Sequence, residues 1–316
     1  MISILLAAFN GEKYIAEQIE SLLNQSVQEF KLIIHDDGST DDTFTIISSY
    51  AKKHPNKITV IQNEKNSGGA KYNFMKMMID YKDDYIMLCD QDDVWLPEKI
   101  EKTLNKIKQL EGVYGTATPI LVHTDLKVVD KDLQTISVSY RKDMLSDFSK
   151  TSLNSIIIQN TLTGCSAMYN RALAELIKKE PKYMIMHDWW LILVAAAFGK
   201  IDYILEPTIL YRQHGENDIG AKKVKSIRYI FHEILLYKEM AQAVTNTYLQ
   251  TKSFLDMYGD KLDDGQYNLV VDYISIPGLP RLDRIKVLMK HNSFKNGFRR
   301  KIAQMWIVLR ERRVSG

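Results

Sequence analysis

The chain has 316 residues, 45% of them hydrophobic and 26% charged, a balance that excludes wholesale disorder and leaves room for one large α/β domain with an appendage or for two domains. The formal charge of +3 is uneven: from Arg281 onward eleven Lys and Arg face two acids, Asp283 and Glu311, a net +9, so the first 280 residues must carry −6 to give the total. Cys89 and Cys165 lack metal-type spacing, no apolar run approaches the ~18 residues of a spanning helix, and Met1 leads directly into Ile2-Ser3-Ile4-Leu5-Leu6, so neither a zinc site, a membrane span nor a secretory leader is expected and a cytoplasmic, reducing location is.

The first predicted strand, Ile2 to Ala8, passes through Phe9-Asn10-Gly11 into a helix whose Ile15, Ile19, Leu22 and Leu23 recur at helical spacing. No Gly-x-Gly-x-x-Gly fingerprint and no Gly-rich loop ending in Lys-Ser or Lys-Thr is present, which removes the main support for dehydrogenase and ATPase readings. A second strand, Phe30 to Ile34, runs into His35-Asp36-Asp37-Gly38-Ser39-Thr40-Asp41-Asp42. Capping of the next helix accounts for Ser39, Thr40 and Asp41, but not for Asp36 and Asp37, which precede the glycine at the strand tip. A third strand spans Ile58 to Ile61, and Asn66-Ser67-Gly68-Gly69 opens a helix through Ile79. The fourth strand, Tyr85 to Cys89, is followed at once by Asp90-Gln91-Asp92-Asp93-Val94-Trp95. Strands alternating with helices predict a mixed, mainly parallel sheet with helices on both faces, and ligands bind beyond the carboxyl ends of such strands.

Pro97 fits the first turn of a helix reaching about Leu110, and Ile120 to Val129 reads as a long strand, expected antiparallel in the mixed sheet. Residues 131 to 151 are polar and irregular. A strand over Thr163 to Tyr169 and a helix from Arg171 to Lys179 follow, then His187-Asp188-Trp189-Trp190 leads into Leu191 to Phe198, a buried helix with Asp188 near its N-terminus. Ile201 to Leu205 and Thr208 to Tyr211 read as two short strands, followed by Arg212-Gln213-His214. From about Ala221 the pattern is helical, which divides the chain into residues 1–220 and a helical region over 221–316. In the last segment Phe294, Phe298, Ile302, Met305, Trp306 and Leu309 share one helical face among Lys and Arg. Such a helix fits the surface of an anionic membrane, or packs on the body with its basic face in solvent.

Two acidic clusters at strand ends, with a third aspartate on a later helix, fit a divalent ion held by one or two carboxylates and by substrate phosphates; the Asp90 cluster lacks the spacing of an EF-hand. In the order and spacing of Ala8-Phe9-Asn10-Gly11, Asp36-Asp37-Gly38-Ser39-Thr40-Asp41, Asp90-Gln91-Asp92-Asp93, His187-Asp188-Trp189-Trp190 and Tyr211-Arg212-Gln213-His214, the sequence resembles the family 2 glycosyltransferases of the GT-A fold over roughly residues 1 to 220. The resemblance implies an inverting enzyme. It places Ala8, Asn10, Asp37, Asp90 and Gln91 on the nucleotide, with Asp37 accepting from a uracil or thymine N3–H and Asp90 holding the ribose or helping to place the metal. Asp92 and His214 would ligate Mg²⁺ or Mn²⁺, Asp188 would be the general base, and Trp189 or Trp190 would shelve the acceptor sugar, the other lying in the core.

Asp-Gln-Asp-Asp-Val-Trp with His-Asp-Trp-Trp is similar to bacterial rhamnosyltransferases of rhamnan and O-antigen synthesis, which implies dTDP-β-L-rhamnose as donor. It also implies a lipid-linked saccharide acceptor at the inner face of the cell membrane. A UDP-hexose or UDP-N-acetylhexosamine donor, and a catalytically inactive partner-binding subunit, are the alternatives. The absence of a Gln-x-x-Arg-Trp motif and of spanning helices argues against a processive polymer synthase. No nucleic-acid partner is expected, and homo-oligomerisation is left open.

Overall fold

The computed structural model describes residues 1–144, 146–213 and 229–310. They form two compact units, the first made of Met1–Met144, Leu162–Glu180 and Phe198–Gly220, the second of Leu145–Thr161, Pro181–Ala197 and Ala221–Gly316.

In the first unit β1 (Ile2–Ala8), β2 (Phe30–Asp36), β3 (Ile58–Gln62) and β4 (Tyr85–Cys89) are parallel, joined through α1 (Ile15–Leu23), α2 (Thr43–Lys53) and α3 (Ala70–Asp80). Adjacent residues of β1 and β4, such as Ile4, Leu5 and Leu6 or Met87 and Leu88, are all fully buried. Near-continuous apolar runs of this kind belong to parallel strands covered on both faces, where period-two alternation disappears. Beyond β4 come β5 (Val94–Trp95), α4 (Lys99–Tyr114), β6 (Ile120–Val129), β7 (Thr135–Ser137), α5 (Tyr140–Asp143), β8 (Ala167–Asn170), α7 (Arg171–Ala174) and β9 (Lys200–Arg212). The nine-stranded sheet has the order β3-β2-β1-β4-β8-β6-β9-β5, with β7 on β6.

The reversed strand is β8, antiparallel to both β4 and β6, whereas β6 runs parallel to β9. The expectation of an antiparallel Ile120–Val129 strand therefore assigns the reversal to the wrong element. A strand buried on both faces carries the same apolar signature in either direction, so its sequence leaves direction open. The two short strands expected around Pro207 are one, β9, because the proline falls where the β6–β9 register shifts at Thr124/Asp125 and costs no regular ladder bond. The helix expected over Arg171 to Lys179 is only the single turn α7.

The second unit contains α6 (Leu153–Ile156), the body of α8 (His187–Phe198), α9 (Tyr229–Tyr258), α10 (Asp264–Ser275), α11 (Arg281–Lys290) and α12 (Phe298–Arg310). A reciprocal capping box, Asp263 with Gln266, starts α10. The buried Arg284 of α11 donates to the carbonyls of Pro277, Leu279 and Val308, each at 2.9 Å. That guanidinium ties the end of α12 to the turn before α11, and three backbone acceptors match its fork of donors. Among the described residues no helix is long and apolar enough to cross a membrane.

Candidate functional site

In the sheet register Ala8 stands beside Asp36 and Leu6 beside Cys89, which brings the carboxyl ends of β1, β2 and β4 together. The loops leaving them interlock. Asn10 takes a positive φ of 48°, a conformation asparagine tolerates better than most residues. Its main-chain N–H donates to Ser39 Oγ (3.0 Å), and its side chain accepts from Thr40 N–H (2.8 Å). Gly11 N–H donates to Thr43 Oγ1 at 2.7 Å. Both polar ends of Gln91 are used on the main chain of Phe9, Oε1 accepting at 2.8 Å and Nε2 donating at 2.9 Å. A Cβ at Gly11 would collide with that carboxamide, so any larger residue there would displace Gln91 from Phe9. Gln91 thus clamps the acidic turn to β1.

Asp36 and Asp37, which capping leaves unexplained, have structural partners. Asp36 accepts from Ser39 and from Gln62 Nε2 (3.0 Å). Asp37 accepts from Ser67 N–H (2.9 Å), Ser67 Oγ (2.7 Å) and Asn63 Nδ2 (2.8 Å), so it fastens the loop before α3 to the tip of β2. A carboxylate offers about four lone-pair sites. Three are occupied, which leaves room for one further donor such as a base N–H.

The turn after β4 divides into a half-buried rim, Asp90, Gln91 and Asp92, and a fully buried Asp93. Asp93 accepts from the main-chain N–H of Arg212 at 3.1 Å and interacts with the Cys165 thiol. Burial, and then the neighbouring Asp92 and Asp90, push its carboxyl well above the usual range. Lys99 is buried beside this group, its Nζ 4.6 Å from the Trp95 ring and 3.5 Å from the Ser166 carbonyl. Burial lowers it to about 8, against the opposing pull of Cys165, Cys89 and Asp93.

Arg212, at the end of β9, is the hub that sequence reasoning passed over. Nearly all buried, it donates Nε to the Asp92 carbonyl (2.8 Å) and Nη1 to the Lys131 carbonyl (2.6 Å), pairs through Nη2 with Glu17, and lies 4.6 Å from the Tyr14 ring. Its place in Tyr-Arg-Gln-His drew attention to His214 alone, and His214 lies outside the described residues.

Asp90, Asp93 and Cys165 offer ligand atoms all within 4.8 Å of one another. The carboxylate oxygens suit a hard divalent ion such as Mg²⁺ or Mn²⁺; the Cys165 thiol, which burial pushes well up, does not. Asp92 shares the turn but stands outside that three-residue group.

Asp188 belongs to the second unit. It is the second residue of α8 and is almost fully buried, placed where a helix N-terminus favours negative charge. Its Oδ1 accepts from the following N–H at 2.6 Å. Trp189 is half-buried and anchored through Nε1 to the Ile156 carbonyl at 2.7 Å. Trp190 is fully buried and packs edge-on against Phe254, with ring centroids 6.1 Å apart. It is the core member of the pair, and any stacking role falls to Trp189.

A mixed, mainly parallel sheet carrying acidic loops at its carboxyl end is the GT-A glycosyltransferase architecture. Residues 3–177 match the family described as Glycosyl transferase family 2, and the chain belongs to that family: it is a glycosyltransferase. The dTDP-rhamnosyl transferase RfbG of Shigella flexneri is 27% identical over 230 residues, covering 68% of this chain and 74% of that protein. Among solved structures, S. aureus TarS 1–349 in complex with UDP-GlcNAc aligns with a TM-score of 0.55 at 17% identity, covering 92% of this chain and 89% of that one. The mannosyltransferase PcManGT of Pyrobaculum calidifontis, in complex with GDP-Man and Mn²⁺, aligns at 0.50 and 12%, covering 98% and 83%.

Proposed function

We propose that this glycosyltransferase transfers L-rhamnose from dTDP-β-L-rhamnose to a lipid-linked saccharide, with inversion and with a divalent metal, at the inner face of the cell membrane. The carrying observation is the acidic turn Asp90–Asp93 at the carboxyl end of β4, clamped by Gln91 to β1 and by Arg212 to β9. The donor assignment is supported by likeness to the Shigella rhamnosyl transferase, and the metal by the two half-buried carboxylates on the rim of the turn, Asp90 and Asp92.

In this reading residues 1–220 form the nucleotide-sugar and catalytic domain and residues 221–316 a helical region. Asp37 presents its remaining lone pair to the thymine N3–H, the loop carrying Ala8 and Asn10 lines the nucleoside, and Asp90 holds the ribose. Asp92, with His214 beyond the described residues, holds the metal, which when bound neutralises charge on the departing diphosphate. Asp188 takes the proton from the acceptor hydroxyl as it attacks the anomeric carbon from the face opposite the leaving group. One displacement inverts the configuration, so a second carboxylate nucleophile has no task. Trp189 offers its ring to the acceptor sugar.

Asp188→Asn tests the assignment. It should lower transfer by about 10²–10⁴-fold while leaving nucleotide-sugar affinity within a few-fold of the parent. An equal loss of transfer and of donor binding would remove Asp188 from the role of base.

A further inference from the structure

Helix α12 turns half of its expected apolar face outward: Phe294, Met305 and Leu309 are half-buried, and Phe298, Ile302 and Trp306 are exposed. The residues it buries are Gln304, Ile307 and Val308, while Phe298 is 78% exposed, Ile302 49% and Trp306 43%. These three stand at i, i+4 and i+8, one stripe along the helix. On α11 Leu282 and Met289 are 75% and 67% exposed. Trp306 rests edge-on against Tyr237 of α9, ring centroids 4.9 Å apart, yet keeps much of its surface exposed, as Phe298 and Ile302 do; a helix serving only to close the second unit would bury these side chains in preference to a glutamine. Solvent-facing apolar side chains of this size, gathered on two consecutive helices, mark an interaction surface.

The charges around the stripe identify what covers it. Not every basic residue here is a free surface charge. Arg284 is buried on backbone carbonyls, Lys286 pairs with Asp283 at 2.8 Å, and Lys290 pairs with Asp272 at 2.7 Å. Arg299, Arg300 and Lys301 flank Phe298 and Ile302, and among the described residues no carboxylate lies within ion-pair distance of them. Arg310 lies over the Trp306 ring at 4.3 Å and Lys301 over the Phe294 ring at 4.0 Å, so the cations sit at the level of the aromatic rings. A second copy of the chain would bring the same uncompensated cations face to face. A polyanion without an apolar phase would satisfy the arginines but leave Phe298, Ile302 and Trp306 in water.

We infer that α11 and α12 form the surface by which the protein lies on an anionic phospholipid bilayer. Phe298, Ile302 and Trp306, with Leu282 and Met289, enter the boundary between headgroups and acyl chains. Arg299, Arg300, Lys301 and Arg310 engage the lipid phosphates. This deepens the membrane-side function proposed above and rests on it only for its biological purpose.

The test uses the full chain without donor or acceptor, so an error in the donor assignment leaves its outcome untouched. The protein is sedimented with vesicles of phosphatidylcholine alone or with about one-third phosphatidylglycerol at low salt, and tryptophan emission is read with lipids brominated on the acyl chains. Binding to the anionic vesicles should be about tenfold or more stronger than to neutral ones. It should fall by about tenfold in the triple variant Phe298→Ser, Ile302→Ser, Trp306→Ser and in Arg299→Glu with Lys301→Glu. Brominated lipid should quench the parent protein and quench Trp306→Phe less. The single variant Phe298→Ser, at the most exposed position, serves if the triple variant does not fold, and should weaken binding measurably. Variants that sediment like the parent, or emission in Trp306→Phe quenched as in the parent, would overturn the inference. So would a parent dimer that the triple variant converts to monomer without vesicle binding, or binding to RNA that the apolar substitutions leave unchanged.

Discussion

At the scale of single residues, the site depends on groups that touch no substrate in the proposed reaction. Arg212 is the clearest case, because its guanidinium satisfies two backbone carbonyls and a carboxylate while its own N–H steadies Asp93. Truncating it removes three part-buried hydrogen bonds, at a cost of about 0.5–1.5 kcal/mol for each. Arg212→Ala should therefore reduce stability by a few kcal/mol and, by loosening the Asp92 main chain, weaken metal-dependent nucleotide binding about tenfold. Calorimetric titration of dTDP with and without Mn²⁺ reads the second effect. Unchanged affinity in the folded variant would reduce Arg212 to a packing residue. The sequence placed Asp90, Asp92 and Asp93 together but could not divide them, since rim and core carboxylates look alike until burial is known. Asp93 carries the burial and Asp92 the exposure.

Elements show the same division between what periodicity reveals and what tertiary packing decides. The four parallel strands, α8 with Asp188 in its first turn, and the helical character after β9 were all legible from apolar spacing and flanking residues. The two-residue β5, which pairs with β9 through Val94 and Trp95, was not, because two residues carry no period. Nor was the direction of β8. For α12 the spacing grouped Phe294, Phe298, Ile302, Met305, Trp306 and Leu309 on one face, yet which side of the helix is buried depends on its neighbours α9 and α11, and only the structure shows Gln304 and Ile307 inside and Phe298, Ile302 and Trp306 exposed. The junction of α11 and α12 rests on Arg284. Replacing it with methionine keeps the bulk of the side chain but strands the carbonyls of Pro277, Leu279 and Val308, and should cost roughly 2–4 kcal/mol. Urea unfolding followed by circular dichroism would measure it, and a loss under ~0.5 kcal/mol would show that water replaces the guanidinium there.

The molecule as a whole combines an acidic body bearing the nucleotide loops with a basic helical region, and it holds histidines inside both units. Burial lowers His123 in the first unit and His187 in the second to about 3. In the unfolded chain both titrate near 6.5, so between about pH 6.5 and 3 the unfolded state binds more protons and stability falls as pH falls. Each site can contribute on the order of 2–4 kcal/mol across that window. His123→Leu should flatten the acid side of the stability profile without shifting it above neutrality; a profile parallel to the parent's would place the acid sensitivity elsewhere. This dependence belongs to folding, and it leaves the electrostatics of the acidic turn to be read from activity.

Donor choice and metal dependence are read together in one activity assay. Release of nucleoside diphosphate is followed with dTDP-β-L-rhamnose, UDP-glucose and UDP-N-acetylglucosamine in turn, each with and without Mn²⁺, on a short lipid-linked saccharide acceptor. Turnover with the rhamnose donor should be at least about tenfold above the others, abolished by chelation and restored by Mn²⁺. Turnover preferring a UDP-sugar, or unaffected by removal of the metal, would contradict the proposed function.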